Sequence, residues 1–441
     1  MTFAPAAGRT QRGTRSLMRI ILASLGTDGD IFPYVGVGAQ LKARGHQIML
    51  IAGEPYRSLA ATHGFAFEPL ITAEETRQWL GHPDFWHPLK TAPLCAKWGA
   101  RLIERQYALL ARHAAGPDAV LVSQPAVFAA TLVHEKFGTP LVQLLLQPGL
   151  IPSVIAPPVM PAFALPEWAP RAAFRLFWRG LDAVGDALVG RTLNRIRASL
   201  GLKPIRRLFR NWWAPQLVLG MFPAWYGPPQ EDWPPQLRLL GFPLFDGGIA
   251  ADLPVAVRDF CRSGPPPVAF TWGTGMQHGA ALFRAALEAC AMRGARGIFL
   301  TKYRDQLPDP LPAFVLQCDF APFEHLFPLC AAVLHHGGVG TTARALAAAT
   351  PQLIVPLAFD QMDNAARVRR LGAGTSLSSK QASAARIADA LGRLSGEGTR
   401  TRCRALAGRF ADRFAGAEPL EAAARCVEEV AERAGRPSRR G

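Results

Sequence analysis

Paired cysteines, long apolar runs and acidic side chains are all scarce in this chain. Its seven cysteines, at 95, 261, 290, 318, 330, 403 and 426, are odd in number and never stand in a Cys-x-x-Cys spacing. That excludes a disulfide framework and a cysteine-based zinc site, and it fits a reducing cytoplasm. No apolar run approaches the ~20 residues of a membrane-spanning helix; the longest, 141–146 and 351–357, have the length of buried strands. Residues 1–17 carry Arg9, Arg12 and Arg15 with no apolar stretch behind them, so they read as a disordered leader and not as a secretory signal. Only 33 acids oppose 49 Lys and Arg, for a net charge of +16. The excess is dispersed along the chain, with local clusters at Arg206, Arg207 and Arg210 beside Trp212 and Trp213 and in the tail 433–440. Dispersion argues against nucleic acid and leaves solvated helix faces or peripheral contact with an anionic inner-membrane surface.

What is present is alternation. A length of 441 residues suits two α/β domains of roughly 200 residues each. Apolar runs at 19–24, 47–52, 119–123, 141–146 and 217–221 are predicted strands, separated by amphipathic stretches such as 34–44, which ends in Gly45. Prolines 152, 157, 158, 161, 166 and 170 break the chain before a helical, arginine-bearing stretch at 171–200. After a Pro- and Gly-rich interval at 223–254, strands are predicted at 268–272, 297–301, 314–317, 332–335 and 352–356. Helices are predicted at 280–293, 341–349 and 363–371 and from about 386 onward. The reading is an α/β chain of two Rossmann-like domains: leader 1–17, first domain 18–240, linker 241–256, second domain 257–415, and a terminal helix with basic tail, 416–441.

Three segments carry the chemistry. His335-His336-Gly337-Gly338-Val339-Gly340-Thr341-Thr342 lies between an apolar strand and a helix. Its glycines let backbone approach an anion that helix N–H groups face, so Gly338 and Gly340 with the His336 ring and the Thr341 hydroxyl are candidate diphosphate contacts. No third ligand stands at metal-binding spacing from the two histidines, so no metal is expected. Twenty residues on, Asp360 and Gln361 close the next strand and offer acceptors and donors to vicinal sugar hydroxyls, while Asp363 or Asn364 reads as the cap of the following helix. Leu25-Gly-Thr-Asp28-Gly-Asp30-Ile-Phe-Pro33 closes the first strand with two carboxylates close together, an arrangement that raises one pKa.

Phe320-Ala-Pro322, the HHGGVGTT segment and Pro356-Leu-Ala-Phe-Asp360-Gln361 together resemble the donor half of GT-B glycosyltransferases that use nucleotide-activated sugars. The resemblance implies two lobes facing each other across a cleft. It implies that Phe320 stacks on the base, that His336, Thr341, Gly273 and Thr274 hold the diphosphate, and that Asp360 and Gln361 hold the sugar. The loop at 25–33 resembles the acceptor-side loop of bacterial members, which makes Asp30 the general base, with Asp28 the alternative. The segments 222–235 and 241–247 look like those of the rhamnosyltransferases of rhamnolipid synthesis. That likeness implies a dTDP-rhamnose donor, a 3-(3-hydroxyalkanoyloxy)alkanoic acid acceptor and a partner enzyme that makes this acceptor. The chemistry implied is inverting and metal-independent. Other readings are transfer to a sterol, carotenoid or macrolide from a UDP- or dTDP-sugar, a sugar-nucleotide epimerase, and a non-catalytic lipid- or partner-binding helper. A nicotinamide enzyme is disfavoured because 26–30 lacks the G-x-G-x-x-G spacing.

Overall fold

The apolar runs assemble into two parallel sheets, the arrangement expected when strands are buried on both faces and joined by helices. The computed structural model of the chain describes residues 17–116, 118–160, 165–166, 168–248, 252–411 and 418–435. The leader up to residue 16, Pro161 and the basic tail from 436 lie outside the described residues. The first sheet contains β1 (Arg19–Ala23), β2 (Gln47–Gly53), β3 (Ala66–Ile71), β4 (Ala119–Ser123), β5 (Leu141–Leu145), β6 (Leu217–Gly220) and β7 (Leu237–Leu239), ordered 3-2-1-4-5-6-7. The second contains β8 (Val268–Thr271), β9 (Gly297–Leu300), β10 (Val315–Cys318), β11 (Ala332–His335), β12 (Gln352–Ile354) and β13 (Gly374–Ser376), ordered 10-9-8-11-12-13. Each order reverses beside its first strand, and ligands of such sheets bind at the carboxyl ends near that reversal.

Three strands were not predicted from the sequence: β3, β7 and β13. All are edges, and their residues, Glu68 and Pro69 in β3, Arg238 in β7 and Gly-Thr-Ser in β13, give no apolar run. The helix α1 (Asp28–Ala43) begins six residues before the predicted start. Thr27 and Asp30 form a capping box that starts it, and the helix absorbs Pro33, at the cost of one ladder bond. The long helix α2 (Thr91–Ala114) was also missed. The helical stretch after the prolines is α3 (Arg171–Gly185), continued through a π turn at Asp186–Gly190 into Arg191–Ser199.

In the second lobe α4 (Ala280–Arg293), α5 (Val339–Ala347) and α6 (Gln361–Leu371) flank the sheet. Helix α6 starts two residues before the predicted boundary. Asp360 occupies the cap position, and Asp363 and Asn364 sit buried in the first turn, not at the cap. The last helix, α7 (Pro419–Gly435), returns to the first lobe and packs along α1. Ala423, Val427 and Val430 there join the core that holds Ile20, Leu22, Val35 and Leu41. A side chain at Gly36 would lie 2.9 Å from Leu420, so that glycine sets how closely the two helices approach. Glu428 of α7 reaches the buried His46 ring at 3.1 Å and Arg44 at 3.6 Å.

Candidate active site

The turn between β1 and α1 is built around one carboxylate. Asp30 accepts the Thr27 N–H at 2.9 Å through Oδ2, and its Oδ1 has no partner among the described residues. Gly26 has φ of +134°, and a Cβ there would lie 2.1 Å from Asp30 Oδ2. A glycine is therefore required both for the backbone angle and for the space. Burial pushes the Asp30 carboxyl up to about 6, with the neighbouring Asp28 adding and the Thr27 hydrogen bonds opposing. Asp28 is tied elsewhere, since its Oδ1 accepts the Tyr56 hydroxyl at 2.9 Å. Each of the two acids the sequence left open keeps one oxygen without a partner among the described residues, and Asp30 is the one whose carboxyl burial raises.

In the second lobe the sequence-predicted residues line the carboxyl edge of one sheet. Phe320 follows β10, Gly273 and Thr274 follow β8, His336 follows β11, and Asp360 and Gln361 follow β12. In the sheet order this row runs from β10 to β12 over four strand spacings, about 19 Å. Phe320 is 47% exposed at one end, its carbonyl accepting the Cys318 thiol.

In the middle, Gly273 and Gly338 enclose the His336 ring. A Cβ at Gly273 would lie 2.9 Å from His336 Cε1, and one at Gly338 would lie 2.6 Å from Nε2. These glycines make room for an imidazole. Gly340 is different, because a Cβ there would meet nothing within 4 Å, which leaves open space beside the first turn of α5. In that turn the N–H groups of Val339, Gly340 and Thr341 have no ladder carbonyl. The Thr342 hydroxyl is buried without a partner among the described residues, a group the sequence reading passed over for Thr341, which is half-buried.

The paired histidines have separate roles. His335 is wholly buried; its Nδ1 accepts the Gly337 N–H at 3.1 Å, so its Nε2 carries the proton it shares with Gln352 Oε1 at 3.0 Å. His336 Nδ1 has no hydrogen-bond partner among the described residues, and burial pulls the ring down to about 4, leaving a neutral imidazole at pH 7.

At the far end of the row, Gln361 Oε1 accepts the N–H groups of Leu357 and Ala358 at 2.8 and 2.9 Å. Its amide oxygen is thus occupied in shaping the turn. Asp360 Oδ2 accepts from Asn364 Nδ2 at 2.6 Å, and burial, with Asp30 contributing across the cleft, pushes Asp360 up to about 7.

The two lobes meet around this row. Gly275 faces Thr27 and Trp86, and His278 shares a hydrogen bond with the Gly81 carbonyl at 3.2 Å. Phe359, at φ of +58°, sets its ring edge-to-face with Phe85 and Trp86 of the first lobe at 5.3 and 5.9 Å. Tyr226 donates to Asn364 at 2.8 Å and Arg367 donates to the Tyr226 carbonyl at 3.0 Å. Sequence reading missed Phe85, Trp86, Phe359 and Tyr226 and took Asn364 for a helix cap, because partners on opposite lobes leave no periodic signal. Among the described residues no cluster of three or more His, Cys, Asp or Glu has metal-binding geometry.

A two-lobed α/β chain with a glycine-rich helix start in one lobe and an acid facing it from the other defines the class, and family comparison agrees. Residues 20–148 match the glycosyltransferase family 28 N-terminal domain, and residues 298–429 match the erythromycin biosynthesis protein CIII-like C-terminal domain. The chain belongs to the GT-B glycosyltransferases that use nucleotide sugars. Among its relatives is O-mycaminosyltylonolide 6-deoxyallosyltransferase of Streptomyces fradiae, 29% identical over 377 residues that cover 80% of this chain and 84% of that one. Two solved structures share the fold. The spinosyn rhamnosyltransferase SpnG has a TM-score of 0.66 at 18% identity, covering 93% of this chain and all of its own. The glycosyltransferase SsfS6 of Streptomyces sp. SF2575, complexed with thymidine diphosphate, has a TM-score of 0.61 at 19% identity, covering 93% of this chain and 99% of its own.

Proposed function

We propose that this enzyme transfers rhamnose from dTDP-rhamnose to the hydroxyl of a 3-(3-hydroxyalkanoyloxy)alkanoic acid, with inversion at the anomeric carbon. The observation that carries the mechanism is the packing of the Asp30 loop, through Thr27, against Gly275 in the loop after β8, with the Asp30 charge among the causes that raise the Asp360 carboxyl. The acceptor oxygen bonds to the anomeric carbon as the bond from that carbon to the phosphate oxygen breaks. The acceptor proton goes to the free oxygen of Asp30, and the electron pair leaves with the diphosphate. Neutral His336, the Thr341 and Thr274 hydroxyls and the first turn of α5 meet the charge that grows there, stabilising the transition state more than the bound substrate. Phe320 stacks on the base, and Asp360 with Gln361 holds the sugar.

The rhamnosyl reading is supported by the segments 222–235 and 241–247, and the existence of a rhamnosyltransferase of the same fold is compatible with it. Transfer to a macrolide-like acceptor is favoured instead by the tylonolide-directed relative. The two separate in one assay. Thermal shift with dTDP, UDP and their sugars, followed by product analysis with the hydroxyacyl acid and a macrolide aglycone, is expected to show thymidine preference and a rhamnosylated lipid acid. Response to neither nucleotide removes the enzyme reading altogether.

The outward face of α3 adds a place for peripheral membrane contact. Leu176, Val184 and Leu188 are 70%, 52% and 41% exposed, and Arg175, Arg179, Arg191 and Arg195 are exposed beside them without an ion pair among the described residues. Apolar and cationic side chains sharing an exposed face suit an anionic lipid surface. No helix among the described residues is long and apolar enough to cross a membrane.

A further inference from the structure

A chain of buried hydrogen bonds joins the lobes behind the transfer site. The Tyr226 hydroxyl, on a ring only 2% exposed, donates to Asn364 Oδ1 at 2.8 Å. Asn364, wholly buried, donates through Nδ2 to the Gly337 carbonyl at 2.8 Å and to Asp360 Oδ2 at 2.6 Å. One amide therefore ties together the turn that faces the diphosphate and the acid that faces the sugar. Only one orientation of that amide works, because a flip would set its oxygen against a carbonyl and a carboxylate. The phenol completes the arrangement by giving Oδ1 the donor it needs.

Tyr226 is itself firmly held. Its ring packs on Phe242 at 4.9 Å between centroids, and its carbonyl accepts from Arg367 at 3.0 Å. Arg367 in turn pairs with Asp363 at 2.6 Å, and the other Asp363 oxygen accepts the first-lobe Val159 N–H at 3.0 Å.

We propose that Tyr226 is a positioning residue for the donor sugar, acting through Asn364 to hold Asp360 with one oxygen turned to the cleft. The proposal rests on the reading that Asp360 contacts the sugar. It gives the first lobe a part in building a site whose direct contacts all belong to the second.

The experiment measures, by calorimetry, the affinity of Tyr226→Phe for dTDP-rhamnose and for bare dTDP, with UDP-glucose and UDP run in parallel. Phe keeps the ring and its packing. The expected result is about tenfold weaker binding of the sugar nucleotide, the worth of one buried hydrogen bond, with bare nucleotide within twofold of the parent. Equal weakening of both ligands, or no change in either, assigns Tyr226 to lobe docking alone and overturns the proposal. Asp360→Asn is measured beside it. If that variant fails to separate sugar nucleotide from bare nucleotide, the sugar-contact reading of Asp360 has failed and the proposal falls with it. If it does separate them, the double variant should bind no more weakly than Asp360→Asn alone, and additive losses overturn the positioning role. Should Tyr226→Phe not fold, Asn364→Ser is read by its affinity for the sugar nucleotide alone, and an affinity within twofold of the parent overturns the proposal.

Discussion

Asp30 is held in a conflict between capping and burial. Its Oδ2 caps α1, which favours the ionised form, while its surroundings raise the pKa to about 6. Asp30→Asn keeps a side-chain oxygen for the Thr27 N–H and removes the proposed base. Transfer should fall by roughly 10² to 10⁴, with an unchanged or raised melting temperature; a variant of near-parental rate would show that the proton goes elsewhere.

The pH profile follows from the same shifts. As pH falls, Asp360 takes up a proton first, through about 7, and donor KM should rise; kcat should drop below about 6 as Asp30 is protonated. Stability has opposing parts. The raised acids are protonated more readily in the folded state, so they favour folding as pH falls from 7 toward 4. His335 and His336, lowered to about 3 and 4, lose stability as pH drops below 6.5. Gly338→Ala places a carbon 2.6 Å from the His336 ring, so donor affinity should weaken by tenfold or more in a binding titration.

At this scale the sequence was informative about which residue types cluster after β11 and β12, because glycine, histidine and paired polar groups at a strand end have few structural uses. It was silent on Asn364 as a link. An asparagine three residues after Gln361 reads as a helix start, and only the Tyr226 contact across the cleft reveals its task.

Elements were legible where they were buried. Central strands such as β1, β4 and β11 are built on Val, Ile, Leu and Ala runs and were placed to within a residue at their ends, whereas the edge strands β3, β7 and β13 carry charge, proline or glycine and vanish into apparent loops. The start of α1 was hidden by Gly29 and Pro33, residues that usually stop a helix; the capping box outweighed them.

Helix α3 offers a test at the element scale. Vesicles containing phosphatidylglycerol should retain the protein at low salt and release it as salt rises, neutral phosphatidylcholine vesicles should not retain it, and Leu176→Glu should abolish retention without altering dTDP binding. Retention by both lipids alike, or undiminished by the substitution, would count against this face.

Across the molecule, the described contacts between the two lobes come from separate first-lobe segments, among them Thr27, the 80–86 turn, Val159 and Tyr226. Phe359, in the left-handed region, is pinned by Phe85 and Trp86 directly before Asp360. Loosening that pin should alter both substrates. Phe85→Ala is expected to raise KM for donor and acceptor together and to increase hydrolysis of the sugar nucleotide, measured as sugar released without acceptor. The two-domain plan was readable from the repeated alternation; the way the halves interlock was not, because it depends on surfaces assembled from distant stretches of sequence.

Helix α7 follows the whole second lobe in sequence yet completes the core that β1 and α1 lay down in the first. During synthesis Val35 and Leu41 therefore stay uncovered until the second lobe has been made and residues 419–435 follow it. A nascent polypeptide stalled short of this helix is a client for holding chaperones, and a deletion that removes the helix strips the first lobe of part of its core.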